Sequence, residues 1–294
     1  MHIQDLQMRR TKELPLGSED TRTIITIPDV ICDNAMILHV HDSLSITSIP
    51  GPSSALGSRW YNLRWCRVER CPMLDCLFTT PHIDSGRGSN EMIIFFWLRT
   101  LWTSQLPKAC FIWNWSTPTS VQHFSNSSFE DLDFLHVDFC PRLIHVLPFH
   151  LLMINHSLCS LETLEIMWCG DLKEVFPVYT TDAESHNQQQ HSTTTVEFLS
   201  LKHIHLHEVP KLQGICGRWR VSAPKLETVK IRGCWSLTRL PAVSMMKKVE
   251  CDCEKEWWDR LQWDGLQANH HHSLYKPTHS RYYKKKLLRS SVLR

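Results

Sequence analysis

The sequence predicts an α/β solenoid, in which short parallel strands stack into one curved sheet with irregular coil and short helices on the convex side. Three observations carry this expectation. One apolar spacing recurs along the chain with the same internal offsets. A cysteine falls at one fixed offset in four of the copies. A proline or glycine follows that offset, at Pro72, Pro141, Gly170 and Pro210, as expected where a strand ends and the chain bends. One such unit cannot bury its own apolar side, so the copies must stack on a shared core.

With a β-branched or leucine anchor set at zero, apolar residues recur at −5, −2, +6 and +9, and cysteine often stands at +3. One copy runs Leu161, Leu164, Ile166, Cys169, Leu172, Val175, and another Leu226, Val229, Ile231, Cys234, Leu237, Leu240. A third is Leu132, Leu135, Val137, Cys140, Leu143, Val146; a fourth is Leu63, Cys66, Val68, Cys71, Leu74, Leu77. A fifth, without the cysteine, runs Leu201, Ile204, Leu206, Val209, Leu212, Ile215. A weaker copy is Leu38, Val40, Ile46 and Ile49, with Ser43 at the cysteine offset. Residues −2 and 0 alternate with polar neighbours, as a strand with one buried face requires. The anchors at 40, 68, 137, 166, 206 and 231 are 28, 69, 29, 40 and 25 residues apart. The shortest steps lie in or near the roughly 20–29-residue period of leucine-rich repeats. The 40-residue step holds a polar insert, Asp182 to Thr195, that reads as a solvated loop. The 69-residue step is expected to hold a degenerate or missing repeat around Phe95 to Trp115, whose aromatic residues fit no register.

Composition narrows the function classes. At 294 residues the chain is long enough to bury a sizeable core without disulfide staples. It is 42% hydrophobic and 21% charged, too apolar for wholesale disorder. A net charge of +2 excludes a polyelectrolyte built for nucleic acid. The longest apolar run, Met92 to Leu98, falls far short of the roughly 20 residues that span a bilayer. The first ten residues contain no apolar stretch of the secretory type. Twelve cysteines without a CxxC pair read as buried, reduced thiols in a reducing compartment. Sequons at Asn114, Asn126 and Asn155 carry little weight without a signal peptide.

The motifs LETLEIMWCGDLKEVFP and KLETVKIRGCWSLTRLP resemble the LxxLxIxxCxxLxxLP repeats of plant intracellular nucleotide-binding, leucine-rich-repeat immune receptors. The ending WWDRLQWDGLQANHHHSLYKP…SRYYKKKLLR resembles the C-terminal end of such receptors in grasses. The resemblance implies a cytoplasmic, non-catalytic protein-recognition or regulatory module of plant defence. That family carries an upstream ATP/ADP switch domain with a GxxxxGK[ST] loop, and none of the ten glycines here begins that motif. The chain is therefore expected to be a fragment, a truncated paralogue or a partial gene model, and no cofactor is expected. The expected organisation is an irregular or truncated segment over 1–30, irregular repeats over 31–250 with the insert at 182–195, a cap over 251–280 and a basic tail over 281–294.

Catalytic signatures are sparse. An HExxH zinc motif fails by one residue, because Lys211 stands where the second ligand belongs after His207 and Glu208. There is no GxSxG elbow and no kinase signature. His203, His205 and His207 alternate on one side of a strand, either as a metal or pH-sensitive patch or, the favoured reading, as a polar outer face. Cys251, Cys253 and His270 to His272 have zinc-ligand chemistry at a spacing that matches no standard finger. Cys66 and Cys71 occupy core offsets, and Cys76 has no explanation. Trp257, Trp258 and Trp263 on a short helix read as a cap over the open core, the alternative being an aromatic docking face. The last 14 residues carry six basic groups and no acid. They read as a solubilising terminus, or as a contact for an anionic membrane or nucleic acid.

If −2 and 0 face the core, −1 and +1 face outward, with +2 accessible where the strand fades. These offsets give the expected concave binding face: His39, His41 and Asp42; Arg67, Glu69 and Arg70; His136, Asp138 and Phe139; Glu165, Met167 and Trp168; His205, His207 and Glu208; Lys230 and Arg232. Polar groups around a few large aromatics suit a protein partner, such as a pathogen effector, a guarded host protein or the receptor's own upstream domains. Sequence-specific DNA binding and a transmembrane segment are not expected. A metal-dependent or hydrolytic enzyme is the disfavoured alternative class, and polyanion binding through the tail is a third.

Overall fold

The alternation of buried and outward side chains builds nine strands into one sheet. They are β1 (Ile37–His41), β2 (Trp65–Glu69), β3 (Thr100–Ser104), β4 (Phe134–Asp138), β5 (Thr163–Met167), β6 (His203–His207), β7 (Thr228–Arg232), β8 (Val249–Asp252) and β9 (Tyr275–Thr278). The structure is a computed structural model, and it describes residues 27, 29–50, 60–79, 95–113, 129–150, 158–179 and 195–280. Every strand pairs in parallel with the next, in chain order. The register aligns the anchors in one row: Val40, Val68, Thr103, Val137, Ile166, Leu206 and Ile231. Anchor and −2 residues are buried on each of these strands. On the side away from the sheet the chain forms short parallel ladders, such as Cys76–Phe78 with Phe111–Trp113 and Thr195–Glu197 with Arg220–Ser222. This is a leucine-rich-repeat solenoid, as the sequence predicted.

The expected gap in the 69-residue step contains a full repeat. Leu98, Leu101, Thr103, Leu106, Ala109 and Ile112 fill the six offsets and are all buried. A threonine at the anchor and an alanine at +6 hid the pattern from a search for large apolar residues. Of the aromatic residues that fit no register, Trp102 stands on the front of β3, and Phe95 belongs to a second row behind the strands. Trp60, Phe78, Phe95, Phe129, Phe149, Phe176 and Phe198 follow one another with ring centroids 4.8–6.4 Å apart. This aromatic spine ties the backs of successive repeats together.

The end of each strand has one chemistry. The +2 residue is left-handed in seven repeats: Asp42, Arg70, Gln105, Phe139, Trp168, Glu208 and Gly233. From β1 to β6, its N–H donates to the +1 carbonyl of the next strand, as Trp168 does to His207 at 2.8 Å. The +3 cysteine turns inward, and its thiol donates to the +1 carbonyl of its own strand. Those contacts are 3.3 Å at Cys71 and Cys169 and 3.4 Å at Cys140 and Cys234. A small apolar group with a weak donor suits this buried corner. Leu106 and Val209 fill it by volume alone.

The boundary drawn at 250 falls inside β8, and the sheet continues through β9. Cys251 occupies the −2 row beside Val229. Trp257, in the short helix Lys255–Trp258, is buried, and its indole N–H donates to the Leu237 carbonyl at 2.8 Å. Trp258, Trp263 and Tyr275 pack together beside it. Cys76, unexplained from spacing, is buried in a back strand, and its thiol contacts the Phe78 carbonyl at 3.0 Å. Thr195, the last residue of the expected polar loop, begins a back strand. The rest of that loop, residues 1–26, the three sequons and the tail from 281 lie outside the described residues.

Candidate functional site

The parallel register turns the −1 and +1 residues into two rows on the open face of the sheet. The −1 row reads His39, Arg67, Trp102, His136, Glu165, His205, Lys230 and Asp252. The +1 row reads His41, Glu69, Ser104, Asp138, Met167, His207 and Arg232. All the residues expected on the face lie on it or at its +2 edge. The structure adds Trp102 and Ser104 from the unrecognised repeat, and the −3 row, which includes Trp65, Phe134 and His203.

At the N-terminal end, Glu69 accepts from Arg67 at 2.7 Å, contacts His39 at 3.1 Å and pairs with Arg70 at 3.1 Å. Burial works to raise the Glu69 carboxyl, but the hydrogen bonds from Arg67 and His39 outweigh it and leave it lowered. Arg70 also grips Asp42 through two hydrogen bonds of 2.6 and 2.8 Å. That bidentate contact, with help from His41, holds Asp42 far below the usual carboxylate range.

The middle of the face is a stack. Arg67 lies 4.9 Å from the Trp102 ring, and Trp102 stacks on His136 at 3.8 Å. His136 and His205 both contact Glu165, at 2.9 and 2.8 Å. These two hydrogen bonds lower the Glu165 carboxyl to about 2. Asp138 behaves oppositely, because burial raises its pKa, and among the described residues only Ser104, at 3.4 Å, donates to it from a side chain. Phe139 and Trp168 stack at 5.5 Å along the +2 edge, and His207 meets Trp168 edge-on at 5.1 Å. Burial lowers the His207 pKa.

Two expectations about exposure need correction. His136 and Glu69 point outward but are buried, at 4% and 6% exposure. The neighbouring Trp102 ring and the paired arginines cover them, so they support the face rather than present it. At the far end Arg232 is engaged with Asp252 at 2.6 Å, whereas Lys230 is exposed and has no carboxylate partner among the described residues. Glu208 lies against Gly233 so closely that a Cβ there would come within 2.8 Å of its carboxylate.

His203 bonds to Thr228 at 2.9 Å and His205 to Glu165, so two histidines of the β6 strip are held by neighbouring strands. Cys251 and Cys253 lie on the core side, while His270 packs against Trp263. Among the described residues, no group of three His, Cys, Asp or Glu side chains is arranged to hold a metal ion. Nor is any helix there long and apolar enough to cross a membrane.

These features define a repeat scaffold that displays side chains on a parallel sheet. Residues 115–251 match the family model described as "Plant disease resistance protein RPS2-like, leucine-rich repeats". Over that span the chain is similar to the leucine-rich-repeat region of plant disease resistance proteins. No curated protein matches the sequence.

Proposed function

We propose that the chain is a non-catalytic protein-recognition or regulatory module of plant disease resistance, working in the cytoplasm as part of an immune receptor. The observation that carries this reading is the open sheet face, with an aromatic ledge of Phe139, Trp168 and His207 and, in the −1 row of β7, exposed Lys230. Rigid aromatics within a polar surround anchor protein interfaces. The partner is a pathogen effector, a guarded host protein or the receptor's own upstream domains. Support comes from the match to resistance-protein repeats and from a scaffold whose −1 and +1 residues emerge on one side of the sheet. Contact of the basic tail with an anionic surface is a subsidiary proposal, and strong salt dependence would identify it.

Affinity purification from plant tissue, followed by binding measurements on the recovered partner, tests the reading. Trp168→Ala is expected to weaken binding by roughly 2 kcal/mol with little change in melting temperature. Lys230→Glu is expected to change the association rate and its salt response more than dissociation. It is a cleaner charge probe than Arg70→Glu, which would leave a third carboxylate beside Asp42 and Glu69. Unchanged binding in both variants would overturn the assignment to this face.

A further inference from the structure

A second surface lies on the other side of the repeats, where the back strands form a shallow floor. Thr195–Glu197 pairs with Arg220–Ser222, Ser222 bridges to Ala242, and Val243 continues to Asn269. Above this floor is a groove of about 1160 Å³. Three guanidiniums line it, from Arg218, Arg220 and Arg239, against two carboxylates, from Glu197 and Asp264.

Those charges are unevenly satisfied. Asp264 is engaged by Arg239 and lies 3.3 Å from His270 Nδ1. Arg220 reaches no closer than 3.7 Å to Asp264, beyond hydrogen-bond distance. The Arg218 guanidinium lies 5.2 Å from the Trp219 ring and makes no ion pair with a described residue. Two guanidiniums, each with five N–H donors, therefore present most of their hydrogen-bonding capacity to the groove. Met245 and Met246 add exposed apolar side chains at the rim of the groove, 67% and 96% exposed. Flexible thioether side chains adapt to varied apolar partners.

We propose that this groove docks an extended acidic segment of a partner protein. Arg218 and Arg220 take its carboxylate or phosphate groups, and Met245 and Met246 take the intervening apolar side chains. The groove exceeds the roughly 300–1,000 Å³ of small-molecule sites, which favours several residues of chain over a compact ligand. The net positive lining selects the sign of the partner's charge. This surface is separate from the sheet face and does not depend on what that face binds.

Fluorescence anisotropy on the full chain tests the proposal with three labelled peptides: alternating Glu and Leu, alternating phosphoserine and Leu, and alternating Lys and Leu. Both acidic peptides are expected to bind, more weakly as salt rises, and the lysine peptide is not. The double variant Arg218→Glu, Arg220→Glu is expected to weaken acidic-peptide binding at least tenfold, and the double Gln variant to weaken it less. Met245→Ser with Met246→Ser is expected to lower affinity severalfold. Trp168→Ala, on the opposite face, should leave binding unchanged. Thermal melts of each variant confirm that it is folded. Failure of both acidic peptides to bind at millimolar concentration would overturn the proposal, as would equal binding of the lysine peptide or unchanged affinity in the double Glu variant.

Discussion

Glu165 sits between two imidazoles, and its acidity follows from them. The hydrogen bonds from His136 and His205 hold its carboxyl at about 2 in the folded chain, against about 4.3 in an unfolded one. A lowered folded pKa contributes stability that is fully present above the unfolded value and is lost as pH falls through the folded value. Between about pH 4.3 and 2, Glu165 should therefore give up on the order of 2–3 kcal/mol. Chemical denaturation across that window should show a shallower acid loss in Glu165→Gln than in the native chain, and superimposable curves would refute the assignment. Thr103 makes the opposite case. It is completely buried at an anchor position, and its hydroxyl has no hydrogen-bond partner among the described residues. An unpaired buried hydroxyl costs about 1–3 kcal/mol, so Thr103→Val should raise stability by about 1 kcal/mol in urea melts. The same residue shows why part of the chain was hard to read. Its side chain has nearly the shape of valine, but a search for apolar anchors passes over it. Missing Thr103 also meant missing Trp102 and Ser104 on the open face.

At the scale of one repeat, the strand and its exit turn were legible for different reasons. The apolar alternation is a local property of five residues, so −2 and 0 could be assigned from sequence. The left-handed +2 residue was not legible, because Asp, Arg, Gln, Phe, Trp and Glu all occupy it. What fixes that conformation is an inter-repeat hydrogen bond from its N–H to the next strand's +1 carbonyl, and no single repeat contains that bond. Burial of His136 was hidden for a similar reason, since the covering Trp102 ring belongs to the adjacent strand, whereas Glu69 is covered by Arg67 of its own strand and by Arg70 next to it. The cysteine offset was legible because the corner behind the turn is small. All twelve cysteines are free thiols, and only Cys110 and Cys159 are partly exposed. Burial pushes the Cys66 thiol up to about 12, leaving almost no reactive thiolate at neutral pH. A thiol reagent should modify Cys110 and Cys159 first in the native chain, and all twelve after unfolding without reductant. Recovery of paired disulfides among Cys71, Cys140, Cys169 and Cys234 would contradict the buried-thiol assignment.

Across the whole molecule, each strand of the sheet pairs only with its sequential neighbours, so a local defect should spread by distance along the stack. Such an array behaves as a chain of unit stabilities linked by nearest-neighbour interfaces. Ile166 lies on β5, the middle strand of the nine-stranded sheet, and is fully buried. Trp257 lies near the C-terminal end, 1% exposed and hydrogen-bonded to Leu237. Either substitution by alanine should cost on the order of 2–5 kcal/mol locally, but the consequences should differ. Loss of Ile166 weakens both of its interfaces, with β4 and with β6, and so uncouples the two halves of the sheet. Loss of Trp257 opens one end, where β7 to β9 meet the aromatic group of Trp258, Trp263 and Tyr275. Native-state hydrogen exchange separates the two outcomes. Trp257→Ala should accelerate exchange in β7 to β9 and leave β1 to β3 close to native rates. Ile166→Ala should accelerate β4 to β6 most and lower the cooperativity of the global melt. A uniform rise in exchange along the whole sheet in the Trp257 variant would mean that the stack unfolds as one unit, and the nearest-neighbour description of this solenoid would fail.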